Sequence, residues 1–436
     1  MTIKALLLNT SDIKGGAARA AYRLHQGLNR ISVDSKIISQ LKYSQDSNVI
    51  GNKPVSGIVQ AKTGLRLTLD QLPLKLYSHR GKQRFSPNWL PYNKITSQVV
   101  KLNPDIVNLH WIGAGYLQIE SIAKFNKPIV WTFHDMWAFT GGCHYNQDCK
   151  KYTASCGACP QLGSSRNWDL SRWIWQRKQK AWQDLSLTVV TPSRWLADCA
   201  RASSLFKNKQ IKTIPYGLNL DIFRPIEQKA ARELLQLPQE KQLVLFLSLQ
   251  ATSDNRKGFH LLQPALKKLS VTAWQDHIEL VVVGASKPDQ SADFGFKSHY
   301  LGTLTDDLML ALAYSAADVF VAPSIQDNLP NTVLESLACG TPSIAFNIGG
   351  MPDMIEHQQN GYLARAYEIE DLANGIVWSL EDSMRLQKLS QRAREKAQQE
   401  FALEIQAKRY LSLFTEILDR ENCLEKYTYK SSKQLN

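Results

Sequence analysis

The sequence predicts an α/β protein of two domains, each a parallel sheet with helices on both faces. Three observations carry that prediction. Short β-rich runs alternate with helical patterns from end to end, the alternation that strand–helix–strand crossovers produce. Residues 211–225 (IKTIPYGLNLDIFRP), with two prolines, a glycine and no clear period, interrupt it near the middle. The length, 436 residues, suits two domains of ordinary size. The boundaries are expected near 1–214 and 216–405, with a C-terminal segment, 406–436, beyond them.

The elements follow in order. Strands are predicted at 3–9, 35–39, 105–110, 128–133 and 187–191 in the first half, and at 243–248, 277–283, 318–322 and 343–346 in the second. Apolar residues at 17, 20, 21, 24 and 28 give an amphipathic helix between the first two strands. A further helix is predicted at 259–269. Another starts at Pro330 and Asn331, proline being favoured in a first turn. It runs to about Cys339, with Gly340 at its C-cap and Pro342 beyond. The last helical region is 402–419, and the polar tail from Glu421 is expected to fray.

Hydrophobic residues make up 44% and charged residues 21%, which excludes disordered and collagen-like chains. No apolar run approaches the roughly 18–20 residues of a membrane-spanning helix. Met1–Leu8 reads as a first strand rather than a signal peptide. Seven cysteines are too few for a secreted disulfide scaffold of this length. A soluble, cytoplasmic protein is expected. The net charge of +13 is uneven: residues 1–220 hold 30 Lys/Arg and 11 Asp/Glu (+19), the remainder 22 and 28 (−6). A basic half attracts nucleic acid, anionic lipid headgroups or phosphorylated ligands, and charge does not choose among them.

In open parallel sheets ligands bind outside the carboxyl ends of strands, so motifs at strand ends hold the functional information. The first strand leads into Gly15-Gly16 and a helix. Paired glycines allow close approach of a ligand, and a helix N-terminus offers N–H groups to an anion; a tight turn explains the same glycines. His134 follows the fourth strand among aromatics (WTFHDMW) that could line a sugar cleft, although a lone histidine is more often structural. Four cysteines, Cys143, Cys149, Cys156 and Cys159, fall within 17 residues as C-x5-C-x6-C-x2-C, in an insert at about 140–165. They could close a structural Zn2+ site, with His144 as a competing ligand, or stay as free or paired thiols. Arg256-Lys257-Gly258 sits at a strand–helix junction where two cations suit a diphosphate; a solvated charge pair is the bland alternative. Asp327 and Asn328 precede the helix carrying Asn331 and Glu335. That helix start can hold a phosphate or sugar hydroxyl, and a carboxylate one turn inside can accept from a ribose diol, or make a local ion pair.

Together these residues resemble the retaining glycosyltransferases of family 4. The marks are Gly15-Gly16, His134, the linker Pro215-Tyr216-Gly217-Leu218-Asn219, Arg256-Lys257-Gly258, and the block from Asp318 to Gly361 with its spaced acids. They span the chain to about residue 420. The cysteine-bearing insert and the loop Asp327–Asn331 resemble a subgroup making bacterial exopolysaccharides, similar to colanic acid transferases. The resemblance implies a GT-B fold, two Rossmann-like domains facing across a cleft, and transfer of a hexose from a UDP- or GDP-sugar to a glycan or lipid-linked glycan. It implies donor-binding roles for Gly15, Gly16, Arg256, Lys257, Asn328, Asn331 and Glu335, and catalytic roles for His134 and Asp327. Asp327 departs from the family's glutamate by one methylene, and the family's other basic residue is replaced by Leu249-Gln250-Ala251. No catalytic metal is implied.

Basic residues Lys62, Arg66, Lys75, Arg80, Lys82 and Arg84, interleaved with leucines, suit peripheral contact with an anionic membrane at its inner face, or an ordinary solvated helix. Nucleic acid is not expected as a partner, since the cations follow no known nucleic-acid motif. Two other readings stay open: a glycan-binding protein without catalysis, and a zinc-containing nucleic-acid-binding protein.

Overall fold

The computed structural model describes residues 2–53, 57–91, 94–247, 254–284 and 294–433. Residues 248–253, which include the replaced basic position at 249–251, and the side chain of Lys62 lie outside that description. The chain divides into two compact units, Met1–Gly217 with Glu404–Asn436, and Leu218–Leu403.

The first unit holds a seven-stranded parallel sheet: β1 (Lys4–Ser11), β2 (Asp34–Leu41), β3 (Val49–Asn52), β4 (Ile106–Leu109), β5 (Ile129–Thr132), β6 (Leu187–Thr191) and β7 (Gln210–Thr213). Its spatial order is β3-β2-β1-β4-β5-β6-β7. Strands in the middle are apolar on both sides because helices cover both faces. One face packs Leu6, Leu8, Val107, Leu109 and Trp131 against Ile174, Trp182 and Phe206. The other packs Leu7, Ile106, Val130 and Val190 against Leu24 and Leu28 of helix Gly16–Arg30, and against Tyr410, Leu413 and Phe414 of the last helix. That last helix runs from Leu403 to Lys433, so residues 421–433 of the tail expected to fray are helical instead.

The second unit repeats the plan with six parallel strands: β8 (Gln242–Leu247), β9 (Ile278–Val283), β10 (Ser298–Gly302), β11 (Val319–Ala322), β12 (Ser343–Phe346) and β13 (Gly361–Ala364). They are ordered β10-β9-β8-β11-β12-β13. In both sheets the order reverses beside the first strand, between β1 and β4 and between β8 and β11, which opens a crevice at the carboxyl ends. β7 falls inside the stretch read from sequence as irregular linker. Its burial is only partial, so its residues alternate without an apolar run.

Among the described residues, no helix is long and apolar enough to cross a membrane.

Candidate functional sites at the carboxyl ends of the sheets

In the first unit, Gly15 adopts φ +103 and no atom lies within 4 Å of the position its Cβ would take. It precedes helix Gly16–Arg30, which no side chain caps. The space beside Gly15 is clear, as a close approach to an anion requires.

His134 lies two residues beyond β5 and is buried. Its Nδ1 stands 2.6 Å from the Tyr216 hydroxyl and its Nε2 3.0 Å from His110 Nδ1. Burial pushes His134 down to about 4. Burial, and then the neighbouring His134, push His110 down as well. The chain Tyr216–His134–His110 is therefore neutral at neutral pH, and it ends on a buried His110 Nε2 without a protein partner. Both nitrogens of His134 are engaged by protein, so contact with a sugar would need one of these bonds to open.

Beside it, Asp135 accepts from His144 Nδ1 at 2.7 Å, the Trp111 indole at 2.8 Å and the Trp137 amide at 2.9 Å. Burial alone would raise this carboxyl, yet the charge and hydrogen bond of His144 and the two other donors hold it below its ordinary value. His144 Nε2 lies 2.8 Å from the Ser86 hydroxyl. The imidazole thus bridges Asp135 and Ser86. Trp111 stacks on His144 and carries the Arg84 guanidinium on its ring. Trp111, Asp135 and His144, with His110 and His134, line a small cavity of about 10 Å³.

The cysteine-bearing insert supplies His144. Phe85 bridges to Cys143, Cys156 Sγ accepts from the Gly141 amide at 3.1 Å, and the Cys159 amide donates to Asp169 at 2.8 Å. Among the described residues, none of the four cysteines is in a disulfide. Burial, and then neighbouring thiols, raise Cys143; burial raises Cys156 to about 12. Among the described residues no group of three or more His, Cys, Asp or Glu is arranged to hold a metal ion. What organises the loop is Lys178, fully buried, with its ammonium on the Trp137 and Thr140 carbonyls and 3.7 Å from the centre of the Trp137 ring. Burial lowers Lys178 to about 7.

The second unit gathers most of the residues singled out from sequence. Asp254 caps the short turn Asn255–Lys257, and Gly258 follows with φ +73. A Cβ on Gly258 would lie 1.7 Å from the Pro323 carbonyl oxygen, so only glycine lets the loop after β8 lie against the loop after β11. The Ile325 amide donates to the Arg256 carbonyl at 2.9 Å. Across this seam Lys257 Nζ and Arg256 Nη1 both reach Asp327 Oδ2, at 2.8 and 3.1 Å. Arg256 also donates to the Gln326 carbonyl and to Asp254. Burial would raise Asp327, but the two cations hold it well below the usual carboxylate range. Helix Asn331–Ala338 begins just beyond, with Pro330 at its N-cap. Glu335, 2% exposed, accepts from the Tyr314 hydroxyl at 3.1 Å.

Of the residues singled out from sequence, Arg256, Lys257, Asp327, Asn328, Asn331 and Glu335 lie in the second unit, and Gly15, Gly16, His134 and the four cysteines in the first. Sequence reasoning gave no site role to His110, Trp111, Asp135, Ser86, Tyr216 or Tyr314, although Asp135, Tyr216 and Tyr314 fall inside motifs that it noted. A signal existed for His110-Trp111, which directly follow β4 beside the strand-order reversal. Ser86 carries none, since only the fold brings it to its partner.

Two parallel sheets of this order, with charged and aromatic side chains at their carboxyl ends, are the two Rossmann-like units of the GT-B fold. Residues 14–222 match the family described as Glycosyltransferase Family 4, and residues 241–382 match Glycosyl transferases group 1. The chain belongs to these glycosyltransferases. It is 26% identical to sulfoquinovosyl transferase SQD2 of Arabidopsis thaliana, over 70% of this chain and 55% of that protein. It is 24% identical to the putative colanic acid biosynthesis glycosyl transferase WcaC of Escherichia coli, over 58% of this chain and 62% of that one. The match thus spans just over half the length of these curated relatives. Anabaena Alr3699/HepE, solved in complex with UDP-glucose, superposes with TM-score 0.61 at 16% identity, over 95% of this chain and 100% of that one.

Proposed function

We propose that this protein is a retaining hexosyltransferase that moves sugar from a nucleoside-diphosphate sugar to a glycan or lipid-linked glycan acceptor in exopolysaccharide or lipopolysaccharide synthesis. The observation that carries the reading is the cluster of Lys257, Arg256 and Asp327 at the carboxyl ends of β8 and β11, just before the helix that carries Glu335. A nucleoside diphosphate leaves readily only if its growing negative charge is met as the glycosidic bond breaks. Lys257 and the N–H groups at the start of helix Asn331–Ala338 would do so, as oriented electrostatic stabilisation. Glu335 would accept from the ribose hydroxyls. The family pattern adds front-face attack by the acceptor hydroxyl, its proton passing to the departing phosphate. The UDP-glucose complex of one structural neighbour and the colanic acid assignment of one relative support the donor class and the pathway.

The test is nucleotide release from a panel of UDP- and GDP-sugars. Lys257→Ala and Glu335→Ala should each lower it at least about tenfold, as loss of a charge-assisted contact of roughly 1.5–3 kcal/mol implies. Activity indifferent to both substitutions would remove the donor-site assignment.

Two subsidiary proposals accompany this reading. The four cysteines would hold a structural zinc ion; the support is their spacing, and purified protein carrying no zinc would refute it. The first unit would rest on an anionic membrane through Leu65, Leu69, Leu72 and Leu76, all exposed, with Lys75 beside them. Arg66 is excluded from that surface, because it donates to the carbonyls of Gly115, Pro91 and Leu90. Failure to sediment with phosphatidylglycerol vesicles at low salt would count against it.

A further inference from the structure

The family pattern places an acid at position 327 to contact the donor sugar, but the geometry assigns this aspartate elsewhere. We infer that Asp327 is a fixed counter-ion for Lys257, from which the lysine is drawn when a diphosphate enters, so that Asp327 tunes how tightly the nucleotide is held and how readily it leaves. The inference rests on the donor-site reading above.

Four observations support it. Both cations reach the same oxygen, Oδ2, with the Ser324 hydroxyl 3.5 Å away, while Oδ1 accepts from the Asn328 amide at 3.0 Å. The carboxylate is therefore turned toward the cations and tethered from behind. Its backbone is also pinned. The Asp327 carbonyl accepts from the Gly350 amide at 3.1 Å, and a Cβ on Gly349 would lie 2.1 Å from that oxygen. The side chains differ in access: Asp327 is 9% exposed, Lys257 31%. An arriving anion meets the lysine while the carboxylate stays behind it.

Finally, the reach is short. Lys257 has four methylenes and can swing to a phosphate, whereas an aspartate held at both oxygen and backbone cannot follow it. A diphosphate brings at least two negative charges against the carboxylate's one, so it wins the lysine, but it must first separate a close ion pair. That opposing term weakens binding of substrate and product alike. In the free protein it also keeps Lys257 from standing unpaired near a half-buried arginine. Arg256, held additionally by the Gln326 carbonyl and Asp254, stays in the loop during the exchange. Asp327 in this account is a positioning residue that acts through Lys257.

The experiment is calorimetric titration of the full chain with UDP and, to remove the base from the comparison, with inorganic diphosphate. In the wild type both should bind, and Lys257→Ala should weaken both. Asp327→Asn should bind both about tenfold more tightly, because the competing charge is gone while the shape is kept. Asp327→Glu, which restores the charge, should stay within about threefold of wild type. Tightening in the asparagine variant, reversed by glutamate, is a pattern that a merely structural aspartate would not give. Asp327→Asn binding with unchanged or weaker affinity overturns the inference and leaves the donor site intact. Wild-type protein that binds neither ligand, or binds them no better than Lys257→Ala, overturns the donor-site reading and this inference with it. If the asparagine variant does not fold, the glutamate variant decides: affinity changed tenfold or more in either direction refutes the counter-ion role.

Discussion

At the scale of single residues, the His110–His134–Tyr216 chain ties folding to pH. His134 has an ordinary value near 6.5 and sits at about 4 in the folded protein because burial disfavours its charged form. Below pH 6.5 the unfolded chain takes up a proton that the folded chain refuses. The stability His134 contributes is therefore complete above 6.5 and is lost as pH falls toward 4. The drop amounts to about 3 kcal/mol on the linkage relation, and His110 adds to it in the same direction. Urea titrations at pH 7 and pH 5 should show the loss, and His134→Asn should flatten it. A wild-type stability that does not fall across this interval would mean the imidazole is not buried neutral. Sequence reading picked out His134 because it follows an apolar strand. It could not find the partners, since Tyr216 lies 82 residues away and meets it only in space.

At the scale of elements, what was legible divides by position in the sheet. Every central strand was found, because strands covered on both faces must be runs of apolar residues. The four strands missed, β3, β7, β10 and β13, are the four sheet edges. Their burial patterns are mixed, intermediate at every position in β10 and at most in β7, so composition gives no apolar run to see. Loops between elements were legible where glycine is demanded by contact rather than by a turn alone. Gly258 shows why: its left-handed φ and the 1.7 Å approach to Pro323 are both incompatible with a side chain. Gly258→Ala should destabilise the second unit by about 3 kcal/mol or more, the sum of backbone strain and overpacking. It should also displace Lys257 from Asp327. Denaturation by urea and titration with inorganic diphosphate read the two effects. An alanine variant with native stability and affinity would show that the two loops do not meet as described.

At the scale of the whole molecule, the chain closes on its first unit. The final helix, Leu403–Lys433, belongs to the unit that contains the N-terminus, and its Tyr410, Leu413, Phe414 and Ile417 complete one face of that unit's sheet. The Tyr410 hydroxyl lies 2.9 Å from Thr132 at the end of β5, two residues before His134. The apolar period of this helix was readable in sequence, but the extension past Glu421 was not, since a polar helix and a polar tail have the same composition. Because the sheet face is finished by residues from the far end of the chain, damage to that helix should fall on one unit alone. Phe414→Ala removes a fully buried ring and should destabilise the first unit by about 3–5 kcal/mol. Nine of the eleven tryptophans lie before residue 218, so indole fluorescence reports that unit, while far-ultraviolet circular dichroism reports both. In urea the fluorescence transition of the variant should move to lower concentration, and the dichroism curve should separate into an early step and a late one at the wild-type position. A multidomain chain need not unfold in one transition. A single transition shifted as a whole would instead show that neither unit is stable without the other, and the helix would then have to be counted as support for both.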